Sequence, residues 1–501
     1  MSYATFSTEQ DPLLPKDEQA PEVMGSRPTS LKSFYDVETE ANIAENEGED
    51  EDDFDPKRHL VNDVMAMIFG IALLFSIVFI FLPNGFWGDK PGPQTVEQRV
   101  HRILTDTPLI DGHNDFAILI RFYFDNQLYT DKFKKLFEEG GMPMHVDLPR
   151  LKKGMNGGAF WSAWAPCPKD GMDFSDANYL DSVAFTLAQI DALTRLQAAY
   201  PKVFSPQVNS STALKAFKSG QFISPIIIEG LHQIANSISN LRHYHSLGVR
   251  YATLTHNCHN KYADAALVET PNGVEKSKPV WNGVSDAGKD LIFEMNRLGM
   301  IVDLSHVSQD TMRDVLIGKE GWKGSAAPIM FSHSSAYTIC PHPRNVPDDI
   351  LQLVKEKNGV VMVNFAPDFI SCVANTSNPS GIPDFFPANN TLDHVVTHVM
   401  HIGDLIGYDH VGFGSDFDGI GSIPEGLEDV SKYPDLVAAL LKKGVSDEDA
   451  AKIVGGNILR VWKDVDAVAL EMQKAGVKPV EDKLPSLRGE MLMNWETSFS
   501  T

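Results

Sequence analysis

The sequence predicts a (β/α)8 barrel carried behind a single membrane-spanning helix and an acidic, disordered N-terminal tail. Three observations predict it. Eight short apolar runs alternate with amphipathic stretches across residues 97–465, the pattern of a parallel sheet whose strands are each followed by a helix. Eight is also the number of strands that closes such a barrel. Ahead of them lies a 19-residue segment without a charge, preceded by an acid-rich stretch.

Residues 1–59 read as a disordered cytosolic tail. The first 58 residues hold 16 Asp and Glu against 5 Lys and Arg, and such a composition cannot bury enough apolar surface to offset its ordering entropy. Within it, Glu9 to Leu14 fits an acidic dileucine sorting signal, which would direct the chain to a vacuolar or endosomal membrane. Residues 60–83 read as a signal anchor. Val64 to Leu82 is uncharged and as a helix would span roughly 28 Å, about one hydrocarbon core. It is longer than the apolar core of a cleaved signal peptide and starts too far in. Lys57 and Arg58 flank its N-terminal side, against Lys90 on the other. That bias puts the N-terminus in the cytosol and makes the expected protein a single-pass type II one, its body extracellular or lumenal. Residues 84–96 read as a linker and 466–501 as a C-terminal tail.

The orientation carries two expectations. The four cysteines, Cys167, Cys258, Cys340 and Cys372, all follow the anchor, where disulfides form; from the sequence three pairings are open. The sequons at Asn209, Asn375 and Asn389 become usable for glycosylation. A net charge of −24 excludes the basic footprint that nucleic-acid binding requires.

The eight runs are Pro108 to Asp111, Ala159 to Trp164, Pro225 to Ile228, Val249 to Leu254, Met300 to Leu304, Pro328 to Phe331, Val360 to Asn364 and Val411 to Phe413. What ends them is informative. The first leads into His113 and Asp115, and others into Glu229, His256, His306 and His333. The last leads into Asp416 and Asp418. Any one of these fits a capping or loop residue. Six strand ends together point to the pocket on which a barrel's C-terminal strand ends converge. Asp, Glu and His are also the residue types with which proteins bind zinc through O and N. His113 and Asp115, two apart, share one face of a strand. Glu229 has two oxygens and could bridge two ions, with His306 and His333 on the second. A bridged pair would make water acidic enough to attack at neutral pH, and Asp416 could then move a proton.

The segments LIDGHNDFA, IIIEGLHQI, TLTHNCHNKYAD, NRLGMIVDLSHVS, PIMFSHSSAYTIC, PRNVPDDIL, GVVMVNF and VGFGSDFDG resemble, in order, those of the membrane (renal) dipeptidases, peptidase family M19. The resemblance covers about residues 97–465. It implies a barrel of the amidohydrolase type and hydrolysis of dipeptides with two zinc ions per chain. His113 and Asp115 would hold one ion, His306 and His333 the other, and Glu229 would bridge them. His256 would contact the scissile carbonyl or the developing oxyanion. Arg344 would pair with the substrate carboxylate, and Asp416 would handle protons and the substrate amine. The implied disulfides are Cys167–Cys258 and Cys340–Cys372.

The N-terminal anchor resembles the fungal branch of the family rather than its lipid-anchored animal members. The animal intersubunit cysteine has no counterpart here, which leaves a homodimer open. Leu231 stands where a second glycine is common, and Phe369 stands where the family has a substrate-facing tyrosine. Two other readings compete: the same metal site acting on another small amide, such as an N-acyl amino acid or β-lactam, and a binding protein on a dead barrel. His394, His398 and His401, at helical spacing, and His243 and His245 read as packing or surface residues.

Overall fold

Eight parallel strands in sequence order form one sheet in the computed structural model, which describes residues 56–81 and 94–482. They are β1 (Leu109–Asn114), β2 (Asn156–Ser162), β3 (Ile226–Glu229), β4 (Val249–Thr253), β5 (Ile301–Asp303), β6 (Ile329–Phe331), β7 (Val360–Val363) and β8 (Val411–Phe413). Each falls on one of the apolar runs read from the sequence. The sheet comes almost full circle. A parallel bridge joins Asn114 to Phe417, and the Asp115 N–H donates to the Phe417 carbonyl at 2.9 Å.

Alternation along the strands sorts side chains to two faces. Ile110, Phe160, Ile227, Tyr251, Ile301, Met330 and Met362 fill the barrel interior with Trp462 of the last helix, all of them buried. Leu109, Trp161, Ile226, Ile228, Val302, Phe331, Val361 and Phe413 join the layer shared with the surrounding helices. Strands buried on both faces explain why the runs read as continuously apolar. At Gly112 and Gly414 an added Cβ would collide with the Ser332 carbonyl, so the backbone after β6 packs closely against both glycines.

Helix ends are written into the sequence. Thr95, Thr130, Asp147, Asn209, Ser285, Ser308 and Thr391 each cap a helix by accepting a backbone N–H three residues on, as expected of such residues at an N-cap. The last helix, Asn457–Lys474, continues past residue 465. Beyond it Asp482 accepts the N–H groups of Ile238 and Ser239. Both implied disulfides are formed, Cys167–Cys258 and Cys340–Cys372.

Residues 1–90 and 91–501 form two separate units. In the first, Pro56–Phe81 is a helix. Among the described residues no helix is long and apolar enough to cross a membrane. The expected span, 64–82, runs past the residues whose side chains are described. The dileucine segment and most of the two expected tails lie outside the described residues. Asn209 and Asn389 are exposed and Asn375 is half-buried.

Candidate active site

A cavity of about 440 Å³ opens at the C-terminal ends of the strands, lined among others by Asp115, Glu229, His256, His306, Arg344 and Asp416. His113 lies in β1 and Asp115 just beyond it, with His113 Nε2 3.1 Å from Asp115 Oδ2. Glu229 ends β3 and lies between two groups. Its Oε2 is 3.4 Å from His113 Nε2, and its Oε1 is 2.9 Å from His306 Nε2 and 3.4 Å from His333 Nε2. His306 and His333 follow β5 and β6, with their Nε2 atoms 3.0 Å apart. Three imidazole nitrogens thus meet the Glu229 carboxylate, His113 at Oε2 and His306 with His333 at Oε1, and Asp115 stands beside His113.

These residues have the donor types and the spacing to hold a metal ion. His113, Glu229 and His333 have ligand atoms within 4.8 Å of one another, as do Glu229, His256 and His306, and His113, Asp115 and Asp416. Asp115 Oδ1 is buried with no hydrogen-bond partner, a costly state for a carboxylate oxygen that no cation faces. Burial first, with Arg344 and neighbouring imidazoles, holds the pKa values of His306 and His333 well below the ordinary histidine value; neutral imidazole is the form that binds metal. Burial also opposes charge on His113, yet Tyr251, Glu229 and Asp115 together raise it well above the ordinary value. The first pair of ligands therefore draws positive charge.

Arg344 is almost wholly buried, at 1% exposure, and its Nε, Nη1 and Nη2 have no hydrogen-bond partner within the protein. Its guanidinium sits 5.1 Å from the Phe369 ring. Burial lowers its pKa to about 10, against the pull of Asp416, Glu229 and Asp303, so it stays charged at neutral pH. The carrier loop is fixed from several sides. Asn345 donates to the Cys340 and Phe369 carbonyls and accepts from Ser335 N–H. His342 accepts the Arg344 N–H at 3.2 Å and packs on Phe369.

Asp416 follows β8 and accepts from Asn364 Nδ2 at 3.2 Å. Burial first, with Asp115 and Glu229, pushes its carboxyl up to about 8. His256, after β4, accepts from Trp164 Nε1 at 3.4 Å. Its Nδ1 is 3.7 Å from Cys167 Sγ, so the first disulfide backs this imidazole. The expected packing histidines stand apart. His398 accepts the Ala336 N–H and donates to the Ile370 carbonyl, and His401 pairs with Asp348.

Several participants carry no sequence signal of their own. Tyr251, Asn257 and Ser332 contact the Nδ1 atoms of His113, His306 and His333. Asp303 accepts from Thr253 Oγ1, Ser332 Oγ and the backbone N–H groups of Ser305 and Ser332. The sole hint was position, since Tyr251 points into the barrel two residues from the end of β4.

Residues 97–476 match the model of the family described as membrane dipeptidase, peptidase family M19. An uncharacterized dipeptidase of Schizosaccharomyces pombe is 44% identical over 416 residues, covering 82% of this chain and 92% of the relative. Dipeptidase aclJ of Aspergillus oryzae is 44% identical over 414 residues, covering 82% and 90%. Among solved structures, a metallopeptidase from Rhodobacter sphaeroides liganded with a phosphinate mimic of the dipeptide L-Ala-D-Ala is similar at 25% identity and a TM-score of 0.59. That match covers 72% of this chain and 99% of the other. Family model, relatives and barrel agree: this chain belongs to the membrane dipeptidase family, peptidase family M19, and is a metallo-dipeptidase.

Proposed function

We propose that the chain hydrolyses dipeptides bearing a free carboxylate, with two zinc ions bridged by Glu229. His113 and Asp115 would hold one ion, and His306 and His333 the other. Zinc, when bound, makes water acidic near neutral pH and polarises a carbonyl. The protein's residues do the rest. His256 faces the scissile carbonyl. Asp416, which follows β8 and lines the cavity with Glu229 and Arg344, would take a proton from the attacking water and return it to the departing amine.

The observation that carries the substrate reading is Arg344. A buried guanidinium with all three nitrogens unpartnered is a poor structural element and a strong carboxylate receptor. It lines the same cavity as Glu229 and Asp416. A dipeptide's carboxylate lies one residue past the scissile bond, so the guanidinium measures that distance, and a longer peptide overruns it. The similar Rhodobacter sphaeroides metallopeptidase, liganded with a phosphinate mimic of the dipeptide L-Ala-D-Ala, supports a dipeptide substrate. The test compares kcat/KM for a dipeptide with that for its C-terminal amide. A preference of roughly ten- to a hundredfold for the free acid is expected from a charge-assisted pair; equal turnover would refute Arg344 as the receptor.

We also propose a type II orientation. In the helix Pro56–Phe81, Val64, Met65, Met67, Ile68, Phe69, Ile71, Leu73 and Leu74 are all exposed, an apolar surface that suits lipid. Glycans at Asn209, Asn375 or Asn389 would follow. Protease treatment of sealed vesicles should trim the acidic tail and leave the barrel intact, and loss of the barrel would reverse the orientation.

A further inference from the structure

The loop after β8 carries Asp416 in a backbone conformation that needs support. Asp416 has φ +65° and Asp418 φ +68°, both in the left-handed region that non-glycine residues adopt at a cost. Gly419 follows, where an added Cβ would collide with the carboxylates of Asp115 and Asp416. The support comes from His145, in the loop ahead of β2 and 273 residues away in sequence.

His145 and Asp418 are joined reciprocally. The His145 backbone N–H donates to Asp418 Oδ1 at 2.8 Å, and the Asp418 backbone N–H donates to His145 Nδ1 at 2.9 Å. Each residue gives one backbone donor and one side-chain acceptor, and both are buried. The imidazole also packs on Phe417, with ring centroids 5.0 Å apart. Phe417 in turn accepts the Asp115 N–H, while the Asp416 N–H donates to the His113 carbonyl at 3.1 Å. A continuous set of contacts therefore runs from His145 through Asp418 and Phe417 to Asp416. Asp416 and Asp418 line the cavity; His145 lies behind them.

We propose that His145 is a positioning residue for hydrolysis, its reciprocal pair with Asp418 aiming the Asp416 carboxylate into the cavity; this rests on the reading of Asp416 as the proton carrier. Because His145 stands outside the cavity lining and acts through the loop, its loss should appear in kcat and spare KM. Asparagine can offer an oxygen near the place of Nδ1, whereas leucine keeps bulk against Phe417 and removes the acceptor.

The experiment measures kcat, KM and zinc content of the full-length chain for His145→Leu and His145→Asn, using one dipeptide. His145→Leu should lose about a hundredfold in kcat, the scale of a misplaced catalytic group, with KM and zinc content unchanged, and His145→Asn should recover most of the loss. Wild-type kcat in His145→Leu would overturn the proposal, as would equal losses in both variants or loss of zinc together with activity. If His145→Leu does not fold, Asp418→Ala carries the same test with the same criteria. Failure of both to fold also overturns it, because the pair then holds the fold rather than Asp416. Asp416→Asn reports separately on the underlying reading: if it stays fully active, Asp416 is not the proton carrier, whatever His145 does.

Discussion

The Tyr251 hydroxyl lies 2.7 Å from His113 Nδ1 and donates to the Gly112 carbonyl at 3.0 Å. A phenol has one proton to give, so its oxygen accepts from Nδ1–H. Nε2 of His113, which faces Asp115 and Glu229, is thereby the ring nitrogen that would turn to a bound cation. His306 and His333 are set alike. Nδ1–H of His306 donates to Asn257 Oδ1 at 3.1 Å, and that of His333 donates to Ser332 Oγ at 2.8 Å, whose own proton goes to Asp303.

Removing one such partner should loosen metal and leave the fold. Tyr251→Phe keeps the ring that fills the barrel, and should lower zinc affinity at the first site by about 10- to 100-fold, the usual effect of losing a ligand's orienting partner. Competition with a graded chelator measures this. Unchanged affinity would mean that the phenol does not set the His113 tautomer.

Arg344→Ala should weaken dipeptide binding by about 1.5–3 kcal/mol, roughly ten- to a hundredfold, while zinc content stays at the wild-type value. Arg344→Lys should recover only part of the loss, because a point charge does not reproduce a planar fork. Steady-state kinetics on the acid and amide forms of one dipeptide separate carboxylate recognition from general damage.

Cys340–Cys372 closes a segment with a sequence separation of 32, and it braces the loop that presents Arg344. Replacing both cysteines by serine should lower stability by about 3 to 4 kcal/mol in the chain-entropy model. It should also raise KM more than it changes kcat. Urea unfolding gives the first quantity and steady-state kinetics the second.

His398 supplies a pH dependence away from the catalytic groups. Burial chiefly depresses its pKa from 6.5 to about 3, so the folded protein resists a proton that the unfolded chain accepts. Below the unfolded value the unfolded state binds more protons, and stability falls as pH drops from 6.5 toward 3. From pH 7 to pH 5 this one group should cost about 2 kcal/mol. His398→Gln should flatten the urea midpoint over that interval by a corresponding amount. An unchanged slope would show that His398 takes up its proton without unfolding.

Much of this site is legible in the sequence because a barrel converts strand ends into one place. His113, Asp115, Glu229, His256, His306 and Asp416 end or follow apolar runs, and topology alone brings them together. What was not legible depends on pairings between distant strands. Thr253 and Asp303 meet only because β4 and β5 are neighbours in register. Tyr251 reads as an ordinary core residue until the Gly112 carbonyl and His113 are placed beside it. The hairpin of Leu267–Thr270 with Gly273–Lys276 carried little apolar signal, since only Leu267 is buried and the second strand is mostly exposed.

Metal stoichiometry tests the central claim most directly. Two histidine groups share the two oxygens of Glu229, so the fully active chain should contain two zinc ions. Glu229→Gln, which keeps the shape and loses the charge, should lower both occupancy and turnover. Elemental analysis of active protein, followed by stepwise removal and return of zinc against dipeptide turnover, gives the count. Activity that returns only with the second equivalent is the predicted result. Full activity with one ion per chain, or with none, would contradict the account.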